Sequence, residues 1–136
     1  MKNESTLYLG NRTPLFIESE LKVNTYDIDV ANHVNNIVYL RWLEDLRNLL
    51  FAHICPLETL LKLNYYHGVI STEMKYKKQI VLFDKPIGKK LVHSYSHGII
   101  LLKVEIRVNN QIVFTATQKC VVFNLINKRM HKGGIT

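Results

Sequence analysis

The chain has 136 residues, 47% of them hydrophobic, which is the length of one ordinary domain with one substantial core and argues against two domains. A net charge of +7 favours anionic partners, but no zinc-finger, helix-turn-helix or RNA-recognition signature accompanies the basic stretches at 75–78, 84–90 and 127–132, so nucleic acid is not an expected partner. The longest apolar run, GIILLKVEI, is broken by Lys103 and Glu105 well short of the ~20 residues of a membrane helix, no apolar leader opens the chain, and Cys55 and Cys120 lack the spacing of a metal knuckle or redox pair; a protein of the reducing cytoplasm, without membrane contact, is expected.

Residues 1–13 are of mixed polar composition and are expected to form a loose lead-in to a single domain over 14–136. From Leu15 to Asp29 apolar and polar residues roughly alternate, which predicts a strand. The period then changes. Tyr39, Trp42, Leu43, Leu46, Leu49, Leu50 and His53 recur at three and four, with Arg41, Glu44, Asp45, Arg47 and Asn48 on the opposite face, predicting an amphipathic helix from about 36 to 53. Arg41 and Asp45 are spaced for an ion pair along its wet side.

Pro56 stops that helix and suits the first turn of a shorter one, PLETLLKLNYY, which gives way at His67 and Gly68. Strand-like text follows at 68–80, 89–97, 99–108 and 111–126. Asn109-Asn110, a pair tolerant of positive φ, suits a tight hairpin between the last two, and VLFDKPIG supplies the other connection. Only the long helix is available to cover the apolar face of such a sheet. The expected class is therefore α+β, with the helix lying against an antiparallel sheet.

One stretch carries more polarity than structure alone asks for. YDIDVANHVNNIVY, residues 26–39, places Asp27, Asp29, His33, Asn35 and Asn36 where the first strand meets the long helix. The first helical N–H groups lack intrahelical partners and the peptide dipoles converge there, making a ready site for an oxyanion. Asn35 or Asn36 suits the N-cap. A carboxylate facing a carbonyl held at that helix end either attacks it or takes a proton from water that does. If the strand alternation persists, Asp27 and Asp29 share a face, so periodicity does not choose between them.

The same residues resemble the signature of the 4-hydroxybenzoyl-CoA thioesterase family of hotdog-fold proteins. The likeness rests on Asp27, Asp29, His33, Val34, Asn35, Asn36 and Tyr39, followed by Glu44 and Arg47 in the helix, and extends more loosely through STEMKYKKQIVLFDKPI, with Asp84, to cover about 16–126. It implies an antiparallel sheet wrapped around one long central helix, and a homodimer or homotetramer with active sites between subunits. It also implies acyl-CoA thioesterase activity, releasing free acid and CoA-SH. Asp29 then takes the position of the catalytic carboxylate.

The backbone N–H groups of Asn36, Ile37 and Val38 are expected to polarise the substrate carbonyl, and surface lysines to neutralise the carrier's phosphates. Tyr39 is expected as core or pocket wall, and Ser71 as a binding residue near the partner's site. His33 either orients water or Asp29, or braces the loop. Departures from the pattern are Ile28, Asn32, Gln79 and Ala31, the last standing where plant acyl-carrier-protein thioesterases place an Asn; an Asp-Asn-His machine does not carry over. Asn32 tolerates the left-handed backbone that the family's Gly supplies.

Acyl carrier protein is the alternative donor, since carriers are acidic, and a non-catalytic acyl-CoA-binding module is the third reading. No metal or cofactor is called for: His93 and His97 would stand about 13 Å apart along a strand, and no Gly-rich phosphate loop occurs.

Overall fold

The computed structural model describes residues 8–9 and 13–131, so most of the expected lead-in lies outside the described residues. Two short strands, β1 (Tyr8–Leu9) and β2 (Thr13–Pro14), pair with each other. There follow β3 (Phe16–Glu20), α1 (Asn36–Ala52), α2 (Leu57–Lys62), β4 (Tyr65–Tyr76), β5 (Ile87–Ser96), β6 (Ile99–Val108), β7 (Gln111–Asn124) and β8 (Arg129–His131). The main sheet is antiparallel in the order β3-β5-β6-β7-β4, with β8 added to β7.

The core lies between the sheet and α1. Leu43, Leu46 and Leu50 of the helix and Val92, Leu102, Ile106 and Phe114 of the strands are at most 1% exposed. Strand β5 passes close beneath α1 at Gly88, where a Cβ would stand 2.9 Å from Leu46 Cδ1 and 3.0 Å from Leu21 Cδ1. The expected α+β class and the helix-on-sheet arrangement both hold.

The boundaries differ in informative ways. The first strand ends at Glu20 rather than Asp29, because the Asn24 and Asp27 side chains supply local hydrogen bonds that close a 3-10 turn over Thr25–Asp27. The short helix ends at Lys62, where Asn64 turns the chain at φ 67°, and β4 starts at Tyr65, earlier than expected. Asn109 and Asn110 form the expected hairpin at φ 51° and 64°. His97 belongs to the turn before β6, at φ 54°, and not to a strand face shared with His93. A bulge in β4 between Val69 and Ser71 leaves Ile70 without a register partner on β7. Among the described residues, β3 and β4 end the main strand order, and the short β8 is a further edge beside β7.

Candidate active site

Two tight structures in succession join β3 to α1. In the 3-10 turn the Asn24 N–H and Nδ2 donate to Asp27 Oδ2 at 2.8 and 3.2 Å, and Arg41 Nη2 donates to Oδ1 at 2.7 Å. Asp27 is only 2% exposed. Burial by itself raises its pKa, but the bonds from Asn24 and Arg41 outweigh that and hold it below the ordinary 3.8. Asp27 thus ties the loop to the helix. Arg41, expected to pair with Asp45 along the helix, reaches back to Asp27 instead.

Asp29 faces the other way and is exposed. Its Oδ1 accepts from the Ala31 N–H at 2.9 Å and the His33 N–H at 3.3 Å. Its main chain exchanges bonds with His33 O at 2.9 Å and Asn32 N–H at 3.0 Å, with Asn32 at φ 64° as the left-handed residue of the turn. Among the described residues nothing occupies Oδ2. The two aspartates that periodicity left on one face are therefore separated, one buried in a turn and one held at a loop surface.

The loop is pinned from below. Ile28 bridges Val34, and His33 bridges Val81. Val34 N–H donates to Ile80 O at 2.8 Å, while Val81 and Asp84 close a turn through Val81 N–H to Asp84 Oδ2 at 2.9 Å. His33 braces the loop through its main chain, and its half-buried ring has no bonded partner among the described residues.

Asn35 is the N-cap of α1, with its side chain accepting from the Ile37 N–H at 3.0 Å and its carbonyl from the Val38 N–H at 2.9 Å. Two of the three expected carbonyl-binding N–H groups are thus engaged in the cap. The Asn36 N–H has no acceptor among the described residues. Ile37 is 63% exposed and Val38 is buried.

Tyr39 is 1% exposed, edge-on to Tyr76 at 5.0 Å and stacked on Phe114 at 4.7 Å. Burial pushes its hydroxyl up to about 12, against a hydrogen bond from the Ile80 main chain, so Tyr39 is a core residue that keeps its proton near neutrality. Ser71 is exposed on β4, five residues before its Tyr76 end, or about 17 Å at 3.4 Å per residue. Among the described residues Ser71 makes no side-chain hydrogen bond to the Asp29 loop.

Sequence reasoning missed a buried polar cluster under the middle of α1. Lys90, taken for a surface lysine, is 0% exposed, and its Nζ donates to Leu43 O at 2.9 Å and to Gln118 Oε1. Gln118 Nε2 in turn donates to Thr72 Oγ1 at 3.1 Å. Burial, the largest influence, lowers the Lys90 pKa to about 7. The signal was present in the alternation, since Lys90 shares the inward phase of Gly88 and Val92. Beside it Arg47, 4% exposed, donates to Glu44 at 2.8 Å and to the Tyr66 hydroxyl at 3.2 Å.

Residues 23–131 match the sequence profile of the thioesterase-like superfamily. No curated protein matches the chain. Among solved structures, the DHNA-CoA thioesterase of Staphylococcus aureus is 18% identical with a TM-score of 0.79, covering 86% of this chain and 80% of that one. A hypothetical protein of the same organism, solved in complex with CoA, is 16% identical with a TM-score of 0.81, covering 89% and 78%. The probable thioesterase YbaW of Escherichia coli is 23% identical with a TM-score of 0.73, covering 84% and 87%. These likenesses carry the hotdog fold, in agreement with the sheet and helix described above.

Proposed function

The chain belongs to the thioesterase-like superfamily and is a thioester hydrolase, and from that premise we propose that its substrates are acyl-CoA thioesters, with Asp29 as the catalytic carboxylate. The narrower likeness to the 4-hydroxybenzoyl-CoA thioesterase family is part of this reading. The observation that carries it is the arrangement of Asp29, an exposed carboxylate fixed through Oδ1 by two loop N–H groups with Oδ2 left open, on a loop tied to the first turn of α1 by the Asn35 N–H to Asp27 O bond at 2.8 Å.

In the reaction an oxygen nucleophile adds to the thioester carbonyl carbon, the C–S bond breaks, and CoA leaves as the thiol. Asp29 either takes the proton from attacking water and passes it to the leaving sulfur, or attacks itself to give a mixed anhydride that water hydrolyses to the acid while the thiolate takes up the proton; the N-terminus of α1, where the Asn36 N–H is open, stabilises the oxyanion. Ile37, exposed on the first turn of α1, meets the acyl group, Val38 and Tyr39 back it from the core, and His33 holds the loop in shape. CoA as the carrier draws support from the S. aureus neighbour crystallised with CoA.

A homodimer is part of the same reading. Strand β4 is an edge of twelve residues with Ile70 half exposed, and a second copy added there continues the sheet and brings Ser71 to the interface. The free thiols of Cys55 and Cys120 suit a reducing cytoplasm.

Free-thiol release from a panel of acyl-CoAs tests the assignment, with Asp29→Asn and Asp29→Ala beside the wild type; undiminished rates in both variants refute it. The net charge of +7 favours a second reading, with an acidic acyl carrier protein as donor. Turnover of one acyl group on both carriers at two salt concentrations separates the two.

A further inference from the structure

Away from the Asp29 loop, three buried side-chain atoms have no hydrogen-bond partner among the described residues: Arg47 Nε, Asn48 Oδ1 and His67 Nδ1. Arg47 and His67 stand where the C-terminal half of α1 passes the Tyr65 end of β4, and Asn48 adjoins Arg47 on the helix. Folded proteins pair their buried polar atoms, so an open one marks a place where water or a ligand belongs. His67 is the most defined of the three. It is 3% exposed, its ring lies 4.5 Å from Phe51 and 5.2 Å from Tyr66, and it lines a cavity of about 30 Å³ walled by Phe51, Ile54, Cys55, Leu60, Ile100 and Val122.

An apolar recess with one placed polar group has the general form of a small-molecule site. Burial holds the His67 imidazole down at about 4, so near neutrality it is uncharged and Nδ1 donates or accepts according to tautomer. Arg47 is paired with Glu44 at 2.8 Å, and the positive charge of Arg47 and Lys90 adds to burial in keeping the ring uncharged, which suits it to an uncharged oxygen. The volume admits only the last one or two heavy atoms of a ligand, since a water needs ~10–15 Å³.

Phe51 lies fifteen residues beyond Asn36, about 22 Å along the helix at 1.5 Å per residue, so the cavity is remote from the Asp29 of its own protomer. Antiparallel pairing of two β4 edges, as in the proposed dimer, would shorten that distance. It lays the Tyr76 end of one strand, which meets the first turn of α1 through Tyr39, beside the Tyr65 end of the other.

We propose that this cavity receives the far end of the acyl group whose thioester is held at the partner's Asp29, and that His67 Nδ1 hydrogen-bonds a hydroxyl or keto oxygen carried there. The inference rests on the dimeric acyl-CoA thioesterase reading and narrows it to acyl groups with an oxygen remote from the thioester.

Straight-chain acyl-CoAs and their ω-hydroxy counterparts provide the test. At one chain length the wild type prefers the hydroxylated member by roughly tenfold in kcat/KM. His67→Phe abolishes that preference, His67→Gln keeps part of it, and Leu60→Trp, filling the cavity, moves the optimum to a shorter chain. Mixed dimers of Asp29→Ala and His67→Phe chains regain the preference, because one site then joins an intact Asp29 to an intact His67 from the other chain. Protection of the half-buried Cys55 thiol from a disulfide reagent by the free ω-hydroxy acid reports occupancy without turnover. Intact hydrolysis with no preference, with a preference that survives His67→Phe, or with no Cys55 protection overturns this inference alone. Absence of any acyl-CoA hydrolysis in the wild type overturns the reading beneath it as well.

Discussion

Asp29 has one observed task and one proposed, and a pair of substitutions separates them. Its Oδ1 holds the loop through the Ala31 and His33 N–H groups, and the carboxylate is assigned the chemistry. Asparagine keeps an acceptor at Oδ1 and loses the charge, so Asp29→Asn is expected to retain the wild-type Tm while lowering kcat by about 10²–10⁴-fold, the usual contribution of a general base. Asp29→Ala loses the activity too, and in addition about 1 kcal/mol of stability from the unmade loop bonds. Thiol release and thermal denaturation read the two effects apart. A polar loop at the entrance of α1 was legible because its residue pattern is specific, whereas the burial of Asp27 was not, since it depends on Arg41 arriving from fourteen residues away.

Lys90 gives a second prediction at this scale. Its pKa is about 7 folded and 10.5 in an ordinary environment. Below pH 7 folded and unfolded chains both hold the proton; between about 7 and 10 the unfolded chain holds it and the folded chain has shed it, so stability rises with pH across that window. Above pH 10 Tyr39, raised to about 12, opposes the trend, because the unfolded phenol ionises first. Urea denaturation at several pH values, with Lys90→Met beside the wild type, checks this: the variant is expected to lose the rise. A rise of equal size in the variant counts against the assignment.

At the scale of elements, α1 was the most legible part of the chain because its apolar period is long and Asn35 announces its start. Asn35→Ala removes the side-chain acceptor of the Ile37 N–H and is expected to cost about 1 kcal/mol, seen in the denaturation midpoint. Gly88 is where helix and sheet come closest. A methyl there meets Leu46 and Leu21 at 2.9 and 3.0 Å, so Gly88→Ala is expected to lose ~1–3 kcal/mol by overpacking, with Leu46→Ala in the same chain restoring part of the lost fit. Strand β3 was over-extended in the sequence because alternation continued through Leu21 and Val23, although Asn24 and Asp27 had already diverted the backbone. The three residues of β8 offered too little pattern to read. The bulge at Ile70 was likewise hidden, since register is a property of two strands and a sequence displays one.

For the whole molecule, the expectation is two chains joined through β4. Ile70→Glu places two like charges near one another across the dyad, and sedimentation is expected to show monomers with little thiol release; a stable dimer with full activity would place the interface elsewhere. Subunit contacts were not readable from composition, because the sequence of an edge strand does not say what continues the sheet. The fold class was readable, because a single long amphipathic helix left only one way to cover the strands.

The anchoring of His33 to Val81, and of Val81 to Asp84, means that the fourteen residues of the signature do not carry all of their own shape. Their conformation is borrowed from a connection some fifty positions downstream. Grafting 26–39 alone onto a foreign helix would transplant the letters without the full conformation, and loosening the Val81–Asp84 turn would slacken a loop whose every named side chain is intact.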